Sequence, residues 1–150
     1  MCGDDSAGPR LVRKLDASGE VMSLDVGTVP ESFVGRMAEA GADVILLVDA
    51  VDFGGQPGSV ALFEPDQISR GWCTTHRVPL GILMKFIEQE TGSDVLLLGI
   101  QPKTVYQNAP LSQEVEASVE ALAELMNRHM SDAVEKLRAG LRPIRKRDRG

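Results

Sequence analysis

Two runs of consecutive apolar residues limit what this chain can fold into. Residues 43–49 contain Val-Ile-Leu-Leu-Val-Asp, and residues 94–100 are Asp-Val-Leu-Leu-Leu-Gly-Ile. A strand with one wet face alternates apolar and polar residues. These runs do not alternate, so both faces of each strand must be covered, as in the parallel centre of an α/β sheet.

The segments around the runs supply the covering layers. Residues 9–16 read as a short helix with Pro9 near its first turn, and residues 20–25 as a strand. Thr28-Val-Pro-Glu31 has the pattern of a capping box and opens a helix running to about Ala40, with Gly41 as its stop. Phe53-Gly-Gly-Gln-Pro-Gly58 is a turn-rich loop leading into a shorter strand at 59–63. Pro79 starts a helix with apolar Leu80, Leu83, Met84 and Ile87, ending at Gly92. From Ser112, the residues Val115, Val119, Leu122, Met126, Met130, Val134 and Leu137 recur at helical spacing and predict one long final helix that also contains His129. Helices between buried strands imply a three-layer αβα sandwich with a twisted, mostly parallel sheet. With 150 residues and no repeat or linker, residues 1–141 form a single domain. Arg142, Arg145, Lys146, Arg147 and Arg149 crowd the remaining residues 142–150. That run reads as a solvated, disordered tail, or as a contact for an acidic partner surface.

The net charge of −6 excludes a nucleic-acid partner of the usual basic-faced kind. No stretch approaches the roughly 18 apolar residues of a membrane span. The opening Met-Cys-Gly-Asp-Asp has neither a basic region nor an apolar one, so no signal peptide is expected. Two cysteines, Cys2 and Cys73, make no disulfide framework. The expected compartment is the cytoplasm.

In such sheets ligands sit outside the carboxyl ends of the strands. That rule selects Asp25, Asp49 and Gln101, with Asp4 and Asp5 just ahead of the first helix. Asp49 ends a run of Ile and Leu, where a carboxylate needs a partner. It caps a loop, pairs with an arginine, or ligates an ion, and spacing alone does not choose. His76 stands in a polar segment, Cys73-Thr-Thr-His-Arg-Val-Pro, whereas His129 falls within a helix and receives no role. Two carboxylates and an imidazole suit zinc or nickel with coordination positions left open. Cys73 and His76 also admit a nucleophile–base reading, although a small buried cysteine is the plainer one. Gly54-Gly55 lacks the Lys and Ser/Thr of a phosphate-binding loop and is read as a turn.

Five segments together resemble the nickel–iron hydrogenase maturation endopeptidases, over residues 3 to about 126. They are Gly3-Asp-Asp-Ser-Ala-Gly-Pro9, Asp25-Val-Gly-Thr28, Leu47-Val-Asp49-Ala50 with Pro57-Gly58, Thr74-Thr-His76 with Pro79-Leu80, and Gly99-Ile-Gln-Pro102. The resemblance implies an endopeptidase that trims the C-terminal extension of a hydrogenase large-subunit precursor. It makes Asp5, Asp49 and His76 the metal-binding and catalytic positions and Asp25 a supporting acid. It also implies that the nickel arrives in the precursor, that zinc or cadmium can fill the site in vitro, and that the peptidase is a monomer without membrane or nucleic-acid partners. The family's usual strand ending in Gly-Asn, ahead of Gly-Asp-Asp, is missing from this sequence, so the sheet is expected to lack it. Without that strand, a binding module that cuts nothing is the alternative reading. Ser6 stands where the family commonly has glycine. A positive φ at that position would cost serine roughly 1 kcal/mol.

Overall fold

The computed structural model describes residues 3–16, 21–68, 78–104 and 109–129. Both apolar runs are strands. β1 spans Val44–Ala50 and β3 spans Asp94–Ile100, paired in parallel from Val44 opposite Asp94 to Ala50 opposite Ile100. The shorter strand, β2 (Val60–Phe63), runs antiparallel on the other side of β3. Among the described residues the sheet is therefore mixed, in the order β1-β3-β2. Only β3 has a neighbour on both sides, and all six residues from Val95 to Ile100 are buried.

Helices close both faces. α1 (Ala7–Lys14) and α4 (Gln113–Arg128) cover one, where Leu11, Val115, Val119 and Leu122 pack with Leu62, Leu96, Leu98 and Ile100. α2 (Val34–Ala40) and α3 (Leu80–Thr91) cover the other, where Met37, Leu83, Met84 and Ile87 pack with Phe63, Val95 and Leu97. Alternate residues of β3 thus feed two separate cores, and the three-layer αβα sandwich is the architecture found. α2 and α3 stop where glycine was expected to stop them, at Gly41 and Gly92, both left-handed C-caps.

α1 is fastened to α4 by more than apolar contact. Asn127 of α4 donates from Nδ2 to the Lys14 carbonyl at 2.9 Å and accepts the Asp16 N–H on Oδ1 at 2.9 Å. One amide side chain thereby completes the C-terminal end of the other helix. Arg10 pairs with Glu116 and Lys14 with Glu120 along the same seam. These pairs are largely solvated and add little energy compared with the apolar contact beneath them.

Four expectations need correction. Residues 21–25 of the expected 20–25 strand join no strand of the sheet. Met22 and Asp25 are exposed, so the segment has no continuous buried face to fix a register. The Thr28 capping box does not form. The chain enters α2 through a 3-10 turn, Pro30–Phe33, whose N-cap is Val29 without a side-chain cap bond. The first helical segment begins earlier than residue 9, as a 3-10 turn at Gly3–Ser6 running directly into α1. α4 ends at Arg128 with His129 as its C-cap, so His129 is not within the helix. Met130, Val134, Leu137 and the basic residues 142–149 lie outside the described residues. Among the described residues no helix is long and apolar enough to cross a membrane.

A sheet dry on both sides makes a prediction. Leu97 and Leu98 are both fully buried but face opposite layers. Leu97→Ala and Leu98→Ala should each lower the unfolding free energy by about 2–5 kcal/mol, measured by urea denaturation. A large loss for one and almost none for the other would mean that one face is open to solvent.

Candidate active site

Asp49 and Gln101 lie at the carboxyl ends of β1 and β3. Asp49 is the next-to-last residue of β1 and is 9% exposed. Its Oδ1 accepts the N–H of Ala50 at 2.9 Å. Its neighbour across the parallel ladder is Gly99. The absence of a side chain there has a packing reason, because a Cβ on Gly99 would come within 3.0 Å of the Phe63 ring.

Asp5 sits in the 3-10 turn ahead of α1, and that turn packs against β1. The closeness is set by Gly8. A Cβ on Gly8 would lie 2.5 Å from the carbonyl oxygen of Val48, the residue preceding Asp49. Backbone therefore meets backbone, and the turn bearing Asp5 is drawn onto the strand bearing Asp49. Ser6 shapes the same turn. Its hydroxyl donates to the Gly3 carbonyl at 2.8 Å. Its φ of −80° is one that any residue adopts, so serine pays nothing for replacing glycine here.

Asp4 was paired with Asp5 in the sequence but singled out for nothing. It proves to be the more deeply held of the two, at 0% exposure. Its Oδ2 accepts the N–H groups of Lys103 at 2.8 Å and Thr104 at 3.0 Å, and the Ser112 hydroxyl at 3.0 Å. Its Oδ1 accepts the Ser112 N–H at 2.7 Å. Burial works to raise the Asp4 pKa, but the hydrogen bonds from Ser112, Thr104 and Lys103 outweigh it and hold the group below its ordinary value. Its partners lie 99 to 108 positions away, so no local sequence signal distinguishes Asp4 from Asp5.

Gln101 was noted only for following the last strand, and it organises the loop after β1. Its Oε1 accepts the N–H groups of Phe53 and Gly55, each at 3.0 Å. Its Nε2 donates to Asp52 Oδ1 at 3.0 Å. That bond, with a second from the Gly54 N–H, lowers the Asp52 pKa. One buried amide thus holds the loop after β1 over the strand ends.

The remaining candidates separate. Asp25 is exposed, accepts the Gly27 N–H at 3.2 Å, and lies 3.8 Å from Arg13 near the far end of α1. Cys2, Cys73 and His76 lie outside the described residues. Among the described residues no three histidine, cysteine or acidic side chains form a metal-sized cluster. What the fold assembles is a pair of acidic positions, Asp5 and Asp49, on adjoining elements at the strand ends. Two hard oxygen donors of this kind fit a divalent ion that brings or finds further ligands elsewhere.

This three-layer scaffold is one that hydrogenase maturation proteases share. The chain overlays the crystal structure of the [NiFe] hydrogenase maturation protease HycI from Thermococcus kodakarensis with a TM-score of 0.75. Identity is 34%, with 85% of this chain and 83% of that one covered. It overlays the solution structure of the endopeptidase HycI from Escherichia coli with a TM-score of 0.77 and 32% identity, covering 89% and 86% of the two chains. In sequence it is 36% identical over 125 residues to the hydrogenase 3 maturation protease of Escherichia coli K12, covering 81% of this chain and 80% of that one. The family model for HycI, hydrogenase maturation protease, matches residues 8–129. The chain belongs to the hydrogenase maturation protease family and is a peptidase.

Two predictions follow from the geometry. Gly8→Ala should destabilise the fold by about 1–3 kcal/mol in thermal or urea unfolding, because the Val48 carbonyl cannot yield without moving β1. A neutral substitution would mean that helix and strand are farther apart. For Asp4, a folded-state pKa below the ordinary value means added stability that is complete above that value and lost as the pH falls through it. The gap in unfolding free energy between the parent and Asp4→Asn should therefore narrow from neutral pH to about pH 3. A gap that widens in acid would contradict the sign.

Proposed function

We propose that this chain is the endopeptidase that removes the C-terminal extension of a nickel-loaded hydrogenase large-subunit precursor. Asp5, Asp49 and His76 are the residues that recognise the substrate's nickel and carry the cleavage. The observation that supports this most is the seating of the Asp5 turn on β1 through Gly8, immediately beside Asp49, in a chain of this family. By strand alternation Asp49 shares the sheet face of Ile45 and Leu47, the side covered by α3. α3 begins at Leu80, four positions after His76.

The nickel belongs to the substrate in this reading. Two carboxylates and an imidazole meet it while other coordination positions stay with the precursor's own ligands. A bound divalent ion supplies a polarised carbonyl or a more acidic water. The residues of this chain supply recognition. A precursor without the ion offers Asp5 and Asp49 no cation to recognise, so it is bound less well. Zinc or cadmium would occupy the same donors in vitro. The peptidase acts as a cytoplasmic monomer on one protein partner.

The test is incubation of purified chain with nickel-loaded and nickel-free precursor, followed by intact mass. The loaded precursor should shorten and the nickel-free one should not. Asp49→Asn and His76→Ala should each lower the cleavage rate by about 100-fold or more. A loaded precursor that is bound but left whole would favour the non-cutting binding module. Unchanged cleavage in both variants would remove these residues from the mechanism.

A further inference from the structure

We infer that Asp4 is a positioning residue for the site: it sets the placement of Asp5 beside β1 by locking the N-terminal turn to the segment that follows β3 and to the start of α4. The inference rests on the proposed role of Asp5 and deepens it.

Residue 4 is tied at both its backbone and its side chain. Its N–H donates to the Thr104 carbonyl at 3.1 Å, while its carboxylate accepts the Thr104 N–H, forming a closed two-way bond to a single residue. Bonds from the Lys103 N–H and from both donors of Ser112 fill the remaining directions of the carboxylate. Ser112 in turn is the N-cap residue of α4 and spends no side-chain bond on that helix's own amides. Its hydroxyl is committed to Asp4. The residue after Asp5, Ser6, is closed onto Gly3. Asp5 is thus held between two fixed neighbours, on a turn whose other constraint is the Gly8 contact with β1.

Four donors arranged for one buried carboxylate exceed what is needed to end a helix or close a loop. Two of them lie on consecutive amides just beyond Gln101, the residue that holds the loop over the strand ends. Asp4 and Gln101 therefore tie two different segments, the N-terminal turn and the loop after β1, to the chain just beyond β3. Replacing Asp4 by asparagine keeps the size but removes the charge and leaves one acceptor oxygen in place of two, so at least one of the four donors loses its acceptor and the turn is held less firmly. Groups that orient a ligand without touching the ion cost about 10–100-fold in affinity when removed.

The experiment compares the full-length parent, Asp4→Asn, Asp5→Asn and Ser112→Ala by calorimetric titration with zinc(II) and by kcat and KM on nickel-loaded precursor. Far-UV circular dichroism and a melting curve establish the folded fraction at the assay temperature. Asp5→Asn should abolish zinc binding. Folded Asp4→Asn should bind zinc at least about tenfold more weakly, with a matching fall in kcat/KM. Ser112→Ala, which loses one bond of four and stays folded, should weaken zinc by about threefold. A folded Asp4→Asn that holds zinc and precursor as the parent does, while Asp5→Asn loses both, makes Asp4 a fold anchor alone and overturns the inference. If Asp4→Asn does not fold, parent-like zinc binding in Ser112→Ala overturns it instead. Zinc binding undiminished in Asp5→Asn removes the site itself, and the role of Asp4 goes with it.

Discussion

The structure depends on one strand that never meets water. From Val95 to Ile100 every residue of β3 is buried, and successive side chains enter different cores. Burying apolar side chains on both faces of a strand stabilises the fold only if a layer lies on each side. α1 and α4 answer one face, and α2 and α3 the other. β1 and β2 then take the two edges of β3. The carboxyl end of this strand is also where Asp4, Gln101 and the loop after β1 are organised, so a fully buried strand end adjoins the site.

Among the described residues the site is built by close approach and by buried polar groups with satisfied bonds. Gly8 brings helix and strand backbones together. Asp4 and Gln101 are buried polar side chains whose bonds are all made within the fold. Such groups are expensive when left unmatched and rigid when matched. The ion pairs along α1 and α4 are exposed by comparison and contribute mainly to surface complementarity.

What could be read in advance follows from this division. Uninterrupted apolar runs made β1, β3 and the layered architecture legible, and glycine stops marked the ends of α2 and α3. Asp49 was legible as a carboxylate at the end of an apolar strand. The segment 20–25 was misread because a short alternating pattern states a preference, and pairing needs a neighbouring edge that local sequence does not supply. The antiparallel sense of β2 is likewise a matter of topology. The final helix stripe continued past the observed end at Arg128 because periodicity does not register a cap such as His129. Asp4 was passed over because its partners, Lys103, Thr104 and Ser112, are distant in sequence. No window around residue 4 contains them.

That distance has a consequence for how the protein comes into being. The bonds from Thr104 and Ser112 to Asp4 span 100 and 108 positions, and those from Asn127 to the end of α1 span 111 and 113. Contacts of such long range form after the loop between them has been closed, and they weigh on folding speed more than on final stability. The Gly3–Ser6 turn and α1 therefore reach their final places only once their distant anchors at Thr104, Ser112 and Asn127 are available to them. The peptidase stays without its first acidic position until its last described helix is in hand.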